Sequence, residues 1–351
     1  ISPIAIHPGI TLKDTLDTLK MSQKELSHRT GLTEKTISQI INGKNPITLE
    51  SSLKFERVLG VSKELWINLQ IKYDQDKLRI ESQKRLEDEI QFLKQYSCYH
   101  ELAKLNYVKD TRRKNERVEE LLRFFSVDSL KFVEDTYPVN FRITKHSNIN
   151  VKSIIAWLRM GEIEAKDIKT KNFKKKKLNT CIPLLRKLTR EDPRQYSSKL
   201  QDILAECGII LVYVPHLKNT YVNGATKWLS PNRALIQLSL RNKWSDIFWF
   251  TLFHELGHLY YGKKQPTIDY DGKQNSEEEE IADNFAMNNL INRYKYEEFF
   301  TNIDFKMLGT QIYKFANEIG VDVSIVAGRI GRDTNKWDLV RPYRSLLQFE
   351  K

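Results

Sequence analysis

Apolar positions recur at helical spacing through the first seventy-three residues. In the segment ITLKDTLDTLK they share one face, at Ile10, Leu12, Leu16 and Leu19. The segment SQKELSHRTGLTEKTISQIINGK predicts two helices, with Ser22 and Thr33 as N-caps and Gly31 at the sharp turn between them. LESSLKFERVLG and SKELWINLQIKYD predict two more helices. The pattern therefore predicts a five-helix bundle over residues 1–73.

The pattern changes in residues 74–150, where charges alternate with leucines at helical spacing. This segment predicts a helical connector whose charged side chains face solvent. Its apolar positions do not keep a strict heptad, so a dimer contact through the connector stays an open alternative.

From residue 151 the pattern becomes that of a compact domain. VKSIIAWLRMGEIEA predicts an amphipathic helix, while CGIILVYVPHL and RALIQLSLR predict two β-strands. Residues 151–351 are therefore predicted to form an α+β domain. The fold class that follows is mainly α, with a small α+β domain at the C-terminal end.

Composition narrows the class of protein. A chain of 351 residues with 40% hydrophobic content is long enough for two or three domains with proper cores. The longest apolar run, near Trp249, is interrupted by His254 and Glu255, so no membrane span is predicted. The first residues show no charged-then-apolar leader, which predicts a cytoplasmic protein. Three cysteines in no CxxC pair predict neither a disulfide framework nor a thiolate zinc site.

The net charge of +12 indicates a polyanionic partner but does not place it. Seven lysines fall within residues 166–177, whereas residues 1–73 carry ten basic and seven acidic side chains. A solvated loop is the favoured interpretation of the lysine cluster, ahead of a nucleic-acid site. The charge alone therefore assigns no function.

The second helix of the predicted helix–turn–helix has a polar outer face opposite its isoleucines. That face carries Lys35, Gln39 and Asn42, with Glu34 on its flank. Lysine can reach guanine acceptors and glutamine can pair with adenine, while Asn42 and Lys44 lie where phosphates would be. The face suits a DNA major groove, and a plain five-helix bundle with a solvated face is the alternative.

A family resemblance favours DNA binding. HPGITLKDTL, MSQKELSHRTGLTEKTISQIINGKNPIT and FERVLGVSKELWINLQIKYD resemble the HigA-type antitoxins of the XRE helix–turn–helix class. The resemblance implies that Gln23, Glu34, Lys35 and Gln39 face bases and that Asn42 contacts phosphate. Ser27 departs from the small alanine usual at its position, although it fits by size. Double-stranded DNA with an inverted repeat is the partner so implied, and the chain could pair as a homodimer on it.

The stretch WFTLFHELGHLYYG places ionisable groups in an otherwise apolar helix. His254 and His258 lie four residues apart and hence on one face, so both imidazoles can point at one ion. Zinc takes histidine nitrogen and needs three protein ligands for a catalytic site. Glu255, next to the first histidine, is placed to act as the general base. Two satisfied core histidines are the alternative.

A third ligand is predicted from the stretch SEEEEIADNFAMNNLI. Glu279 and Asp283 lie four residues apart, and Glu279 follows His258 by twenty-one residues. Glu279 can be the third zinc ligand, while Asp283 can accept a hydrogen bond from a ligating imidazole. A solvated helix start is the alternative for such a glutamate run. The E-x-x-x-D arrangement resembles that of the gluzincin metallopeptidases.

The resemblance narrows to the ImmA/IrrE family of intracellular zinc metallo-endopeptidases. It is carried by LSLRNKWSDIFWFTLFHELGHLYYG and EEIADNFAMNNLI, with AWLRMGEIEA and GATKWLSPNRALIQLSLR before them. By this resemblance His254, His258 and Glu279 bind zinc in a zincin-like domain and Glu255 is the base. Tyr260 and Tyr261 are candidates for stabilising the transition state, with packing at the helix end as the favoured alternative.

Two classes of function follow. The first is a DNA-binding regulator that carries a zinc endopeptidase and cuts a partner protein, such as a repressor or a toxin encoded nearby. The second is a non-proteolytic antitoxin or autorepressor in which the zinc site is structural or regulatory. For the first class we expect an extended substrate segment to add to the edge of the RALIQLSLR strand, beside the zinc helix.

Overall fold

A computed structural model describes residues 4–137, 149–239, 241–262, 267–270 and 277–347. The chain divides into two compact units, the first ending at Gln91 and the second beginning at Phe92. No helix of the described ranges is long and apolar enough to cross a membrane. Each unit is described by itself below.

Five helices build the first unit, as the sequence predicts. They are α1 (Pro8–Thr18), α2 (Gln23–Thr30), α3 (Glu34–Ile41), α4 (Leu49–Leu59) and α5 (Lys63–Glu89). Most of the predicted apolar positions meet in one core, formed by Leu12, Leu16, Leu26, Ile37, Ile40, Ile47, Phe55, Leu59 and Trp66. Ile10 and Leu19, predicted to share the apolar face of α1, are instead exposed. The prediction of a small helical bundle is confirmed.

The structure corrects the predicted end of this unit. Helix α5 passes residue 73 without a break and ends at Glu89. Gln70 donates a hydrogen bond to Asp74 at 3.0 Å, and Lys72 pairs with Asp76 at 3.2 Å. These pairs four residues apart span the predicted boundary, and no glycine or proline interrupts the segment. The first part of the predicted connector is therefore the end of a 27-residue helix.

The rest of the predicted connector belongs to the second unit. After a 3₁₀ turn at Ile90–Gln95 the chain forms α6 (Tyr99–Lys104), α7 (Lys114–Phe125), a 3₁₀ turn at Leu130–Phe132 and α8 (Val133–Thr136). Val118, Leu121, Phe124 and Phe125 of α7 are buried. Their burial is the reason that this segment is not a solvated spacer. Residues 138–148 of the predicted connector lie outside the described residues.

Further along the chain, the second unit has helices before, within and after the segment that forms its sheet. Before the sheet come α9 (Val151–Ala165), α10 (Lys175–Leu188) and α11 (Pro193–Glu206). After its third strand comes α12 (Ser245–Tyr260), and after its fourth come α13 (Glu277–Leu290), α14 (Arg293–Thr301), a 3₁₀ turn at Phe305–Met307, α15 (Leu308–Ile319), α16 (Val323–Thr334), α17 (Trp337–Val340) and a 3₁₀ turn at Arg341–Tyr343. The predicted α+β composition is confirmed.

The sheet has four strands in the order β1-β3-β2-β4. They are β1 (Ile209–Val214), β2 (Val222–Ser230), β3 (Arg233–Ser239) and β4 (Thr267–Tyr270). β1 and β3, the two predicted strands, pair in parallel, while β2 runs antiparallel to both of its neighbours. The strands β2 and β4 were missed, since VNGATKWLS mixes glycine and polar residues and TIDY has only four residues.

The expected role of β3 as a substrate-binding edge is wrong. β3 pairs with β1 on one side and with β2 on the other, so its backbone groups are already used in the sheet. Residues 234–239 of β3 are all buried, including Gln237 and Ser239, but the sequence of the strand does not reveal its position in the sheet. Within the described sheet, the end positions belong to β1 and β4.

Two cysteines of the second unit form a disulfide that the cysteine count did not predict. Cys181 of α10 is bonded to Cys207, which directly follows α11. The count shows only that three cysteines leave at least one unpaired, and Cys98 is a free, buried cysteine. The pairing follows from the way α10 and α11 pack, which the sequence does not display.

Candidate functional site

The helix–turn–helix of the first unit is built by local capping. Ser22 accepts a hydrogen bond from the amide of Glu25 at 3.1 Å, and Thr33 accepts one from the amide of Thr36 at 3.1 Å. Gly31 ends α2 in the left-handed conformation, with φ of 68°. All three predicted turn residues are therefore confirmed in their roles.

The side chains predicted to contact DNA lie on the surface of this unit. Those at the surface are Gln23, Glu34, Lys35, Asn42 and Lys44, and Gln39 is half-buried. The Gln39 side-chain oxygen accepts a hydrogen bond from Asn45 at 2.9 Å. The Asn42 amide donates to the Ser38 carbonyl at 2.8 Å and closes the end of α3. The outer face of α3 is thus polar and accessible, although Asn42 also has a structural role.

Several residues that carry the N-terminal resemblance hold α3 in place. The side chain of His7 accepts a hydrogen bond from the Gly9 amide at 2.9 Å and begins α1. Gly9 lies so close to the end of α3 that a Cβ there would be 1.9 Å from the Ile40 carbonyl oxygen. Gln70 accepts a hydrogen bond from the Ile47 amide at 2.9 Å, which fixes the loop after α3. These contacts are structural, and no local pattern in the sequence indicates them.

In the second unit, the predicted metal ligands meet at one point. The Nε2 atoms of His254 and His258 are 3.0 Å apart. Oε2 of Glu279 lies 3.1 Å from Nε2 of His254 and 3.5 Å from Nε2 of His258. One ligand atom from each of the three residues lies within 4.8 Å of the others, and both histidines are buried. The helical spacings in α12 and α13 therefore bring together the set that the sequence predicts.

Asp283 lies on the other side of the first imidazole. Its Oδ1 is 2.9 Å from Nδ1 of His254, as predicted for a residue that orients a ligand. Its Oδ2 accepts a hydrogen bond from Arg332 of α16 at 2.8 Å. Arg332 was not predicted, because it lies forty-nine residues further along the chain.

Both carboxylates are held in their charged form. Burial by itself raises the pKa of Glu279, but hydrogen bonds with the two imidazoles outweigh burial and bring the pKa well below its usual value. Burial likewise raises the pKa of Asp283, and the contacts with His254 and Arg332 lower it below its usual value. Charged carboxylates are the form in which a metal ligand and its supporting residue act.

The predicted base, Glu255, is fully buried beside the sheet. Thr226 of β2 donates a hydrogen bond to its Oε2 at 2.6 Å, and Thr267 of β4 donates to the same atom at 3.3 Å. These two threonines face each other across the β2–β4 pairing. A Cβ on Gly224 would be 2.9 Å from Oε1 of Glu255, so this glycine lets the carboxylate lie close to the strand. None of the three supporting residues was predicted.

Gly257, between the two histidines, sets the distance between α12 and α13. A Cβ at this position would be 3.1 Å from the Ala282 Cα and 3.2 Å from the Phe285 Cβ. A larger residue would push α13 outward by a few tenths of an ångström. The absence of a side chain at Gly257 therefore lets α13 lie close enough to α12 for Glu279 to reach the histidines.

The tyrosines that follow the second histidine pack at the helix end. The Tyr260 ring lies 5.0 Å from the Phe285 ring, and the Lys175 ammonium lies 4.0 Å from the Tyr260 centroid. The Tyr261 ring is 6.1 Å from Phe285. These contacts agree with the packing alternative for Tyr260, whereas the Tyr261 side chain is 59% exposed.

The donor set fits zinc chemically. Two imidazole nitrogens and one carboxylate oxygen are the ligand types of a catalytic zinc site. Glu279 and Asp283 place two carboxylates beside the imidazoles, and Arg332 balances the charge of Asp283. The three side chains therefore offer the ligand types of a zinc site.

The chain resembles known proteins in its N-terminal part. A helix-turn-helix family matches residues 12–66. The uncharacterized HTH-type transcriptional regulator YddM of Escherichia coli (strain K12) is 33% identical over 64 residues, which are 18% of this chain and 68% of that protein. Virulence-associated protein A' of Dichelobacter nodosus is 36% identical over 69 residues, 19% of this chain and 60% of that protein.

About a quarter of the chain also resembles solved structures. An addiction module antidote protein of a HigA family from Coxiella burnetii is 34% identical, with a TM-score of 0.23, over 24% of this chain and 94% of that one. The antitoxin HigA of Pseudomonas aeruginosa, solved with the higBA promoter, is 25% identical with a TM-score of 0.23, over 24% of this chain and 95% of that one. The family assignment rests on the sequence matches and not on these superpositions.

Proposed function

We propose a function from the premise that the chain belongs to the helix-turn-helix family, which its residues 12–66 match. The first unit binds operator DNA and regulates transcription. The second unit is a zinc-dependent endopeptidase of the ImmA/IrrE type that cleaves one specific partner protein in the cytoplasm. That partner is a repressor or a toxin encoded near this chain.

The outer face of α3 supports DNA binding by the first unit. Glu34 and Lys35 begin this helix at the surface, and Gln39 follows one turn later. In the proposed complex α3 lies in the major groove, where Lys35 and Gln39 contact base edges and Lys44 contacts phosphate. A homodimer would read an inverted repeat with half-sites about one helical turn apart, or a multiple of it.

The convergence of His254, His258 and Glu279 is the observation that carries the enzymatic half of the proposal. These three residues would hold one zinc ion, with Asp283 orienting His254. Bound zinc supplies Lewis-acid chemistry, which polarises a peptide carbonyl and lowers the pKa of water. The supporting carboxylate on His254 fixes which ring nitrogen carries the proton.

Glu255 acts as the general base in this proposal. It adjoins His254 in sequence and lies in a fully buried position, where bulk water does not compete for its carboxylate. Hydrogen bonds from Thr226 and Thr267 fix the orientation of the carboxylate. Glu255 takes a proton from the attacking water and later gives it to the leaving amine.

The substrate segment adds to β4, not to β3. β4 pairs with β2 and stands last in the described sheet, and its Thr267 touches Glu255. An extended peptide bonded to the backbone of β4 would pass close to the base. This mode selects a flexible linker, so a folded protein or bulk casein should be cut poorly.

Incubation with the product of the adjacent gene tests the enzymatic half. Wild-type protein should give one discrete fragment, and Glu255→Gln, which keeps the size of the side chain, should give none. Mass spectrometry of the fragment should place the cut in a linker. If the wild type leaves the partner intact at full zinc occupancy, the proteolytic assignment is wrong.

The non-proteolytic antitoxin remains the second candidate, and the match of the first unit to the helix-turn-helix family favours it. In that case the protein binds a toxin and represses its own operon, and zinc is structural or regulatory. Toxin neutralisation and promoter repression by Glu255→Gln at the wild-type level, without any cleavage by the wild type, would establish this candidate.

A further inference from the structure

We propose that Arg332 of α16 is a positioning residue for the metal site and acts on His254 through Asp283. This role rests on the proposed zinc site. Arg332 belongs neither to the HELGH stretch nor to the three residues that would bind the metal. It would make the last helices of the second unit part of the metal-binding machinery.

Two hydrogen bonds link His254 to Asp283 and Asp283 to Arg332. Nδ1 of His254 is 2.9 Å from Oδ1 of Asp283, and Oδ2 of Asp283 is 2.8 Å from Nη2 of Arg332. Each residue belongs to a different helix, namely α12, α13 and α16. The orientation of the imidazole therefore depends on the placement of α16 as well as on its own helix.

Arg332 holds the carboxylate that holds the imidazole. The terminal torsion of an aspartate is broad, so one hydrogen bond does not fix the plane of its carboxylate. The Asp283 side chain is 29% exposed, so water can compete for its oxygens. With Arg332 on Oδ2, both oxygens are engaged and Oδ1 stays directed at His254. Nε2 of His254 then stays directed at His258 and Glu279, with which it would hold the metal.

The guanidinium also contacts a side chain of α12. Its carbon lies 4.8 Å from the centroid of the Phe250 ring, and Phe250 precedes His254 by one helical turn. A planar guanidinium can rest on an aromatic ring and donate from its edge at the same time. A lysine ammonium lacks this geometry, so Lys at position 332 would keep the charge and lose part of the orientation.

A matched control lies on the same helix. Arg329 pairs with Asp333 at 2.7 Å, four residues away, and its carbon lies 4.7 Å from the Tyr296 centroid. Arg329 thus has one carboxylate and one aromatic contact, as Arg332 does, without a link to the metal ligands. Arg329→Ala therefore measures the effect on zinc affinity of removing an arginine from α16 that does not contact Asp283.

The test is the zinc affinity of the full chain, measured by competition with a chromophoric chelator. Arg332→Ala should weaken zinc binding about 10- to 100-fold, the usual cost of losing an outer partner of a metal ligand. Arg332→Lys should recover part of that loss, and Arg329→Ala should bind zinc like the wild type. Co²⁺-substituted Arg332→Ala should also show an altered visible absorption spectrum, which a merely structural role would leave unchanged.

A double-mutant cycle identifies the route of the effect. Because Arg332 acts through Asp283, Arg332→Ala should cost nothing further in an Asp283→Ala background. Independent, additive losses would overturn the inference, as would wild-type zinc affinity in Arg332→Ala or an equal loss in Arg329→Ala. Absence of zinc binding in the wild type would instead overturn the proposed function, so the two failures are distinguishable.

Discussion

The two candidate sites of this chain are built in opposite ways. The candidate DNA-binding surface of the first unit comes from residues 23–44, on two short helices that are capped by their own neighbours. The candidate metal site of the second unit draws on α12, α13 and α16 and on the strands β2 and β4. One site is contiguous and exposed, and the other is assembled and buried.

This difference shows where each site is vulnerable. The first depends on surface side chains such as Lys35 and Lys44, which can be changed one at a time, although Asn42 also closes the end of α3. In the second, each functional side chain is held by a partner from another element, so changes far along the chain can affect it. The following experiments test this contrast, from the largest expected effect to the smallest.

Gly9→Ala should be the most damaging single change in the first unit. The added Cβ would meet the Ile40 carbonyl oxygen at 1.9 Å, so α1 must move away from α3. Overpacking of this kind costs about 1–3 kcal/mol of unfolding free energy, and occasionally more, and the contact here is with backbone that cannot easily give way. Thermal unfolding should show the loss, together with weak binding to operator DNA and unchanged zinc content. Operator affinity and stability equal to the wild type would show that the two helices are not held at this contact.

Lys35→Ala and Gln39→Ala should reduce operator binding without unfolding the unit. Each lost base contact is worth about 1–3 kcal/mol, and the loss should appear on the specific site and not on random DNA. Binding assays on operator and scrambled duplexes measure the difference. Lys20→Ala, a change before the helix–turn–helix, serves as a control for charge alone. Equal weakening on both duplexes would mean that the surface is generally basic and does not read sequence.

Thr226→Val should slow hydrolysis and leave the metal in place. Valine keeps the shape of threonine but removes the donor to Glu255, an interaction with a charged group worth about 1.5–3 kcal/mol. Cleavage of the partner should therefore fall about tenfold or more, with wild-type zinc stoichiometry. Thr226→Ser, which restores the hydroxyl, should recover most of the rate. A wild-type rate in the valine variant would show that the hydrogen bond from Thr226 does not support Glu255 as the base.

Gly257→Ala should have the smallest effect on stability and a visible effect on metal binding. Alanine gains about 1 kcal/mol of helix propensity over glycine, which offsets crowding against Ala282 and Phe285. The net change in unfolding free energy should stay within about 1 kcal/mol. Zinc affinity should nevertheless fall, because α13 carries Glu279 and must move outward. Unaltered zinc affinity would show that the spacing of α12 and α13 does not limit the site.

The same contrast explains what the sequence could predict. The caps Ser22 and Thr33, the turn at Gly31 and the polar face of α3 follow from spacings of a few residues, and the structure agrees with them. The pairs His254 with His258 and Glu279 with Asp283 also follow from helical spacing. The pattern could not reveal Thr226, Thr267 or Arg332, since their relation to the site exists only through pairing of β2 with β4 and packing of α16.

The errors have the same origin. The predicted boundary at residue 73 was wrong because a change from apolar to charged composition does not end a helix, and α5 continues to Glu89. The role given to β3 was wrong because strand order depends on long-range pairing. Local rules thus described helices and their faces well, and failed where the position of an element is decided by distant partners.

The most direct test of the central claim is the zinc content of purified protein, measured by elemental analysis. We predict close to one zinc per chain in the wild type and in Glu255→Gln, and loss of zinc in His254→Ala and Glu279→Ala. Full zinc occupancy in a His254→Ala/His258→Ala double variant, or a wild type that takes up no zinc when it is supplied, would contradict the claim that these three residues form the metal site.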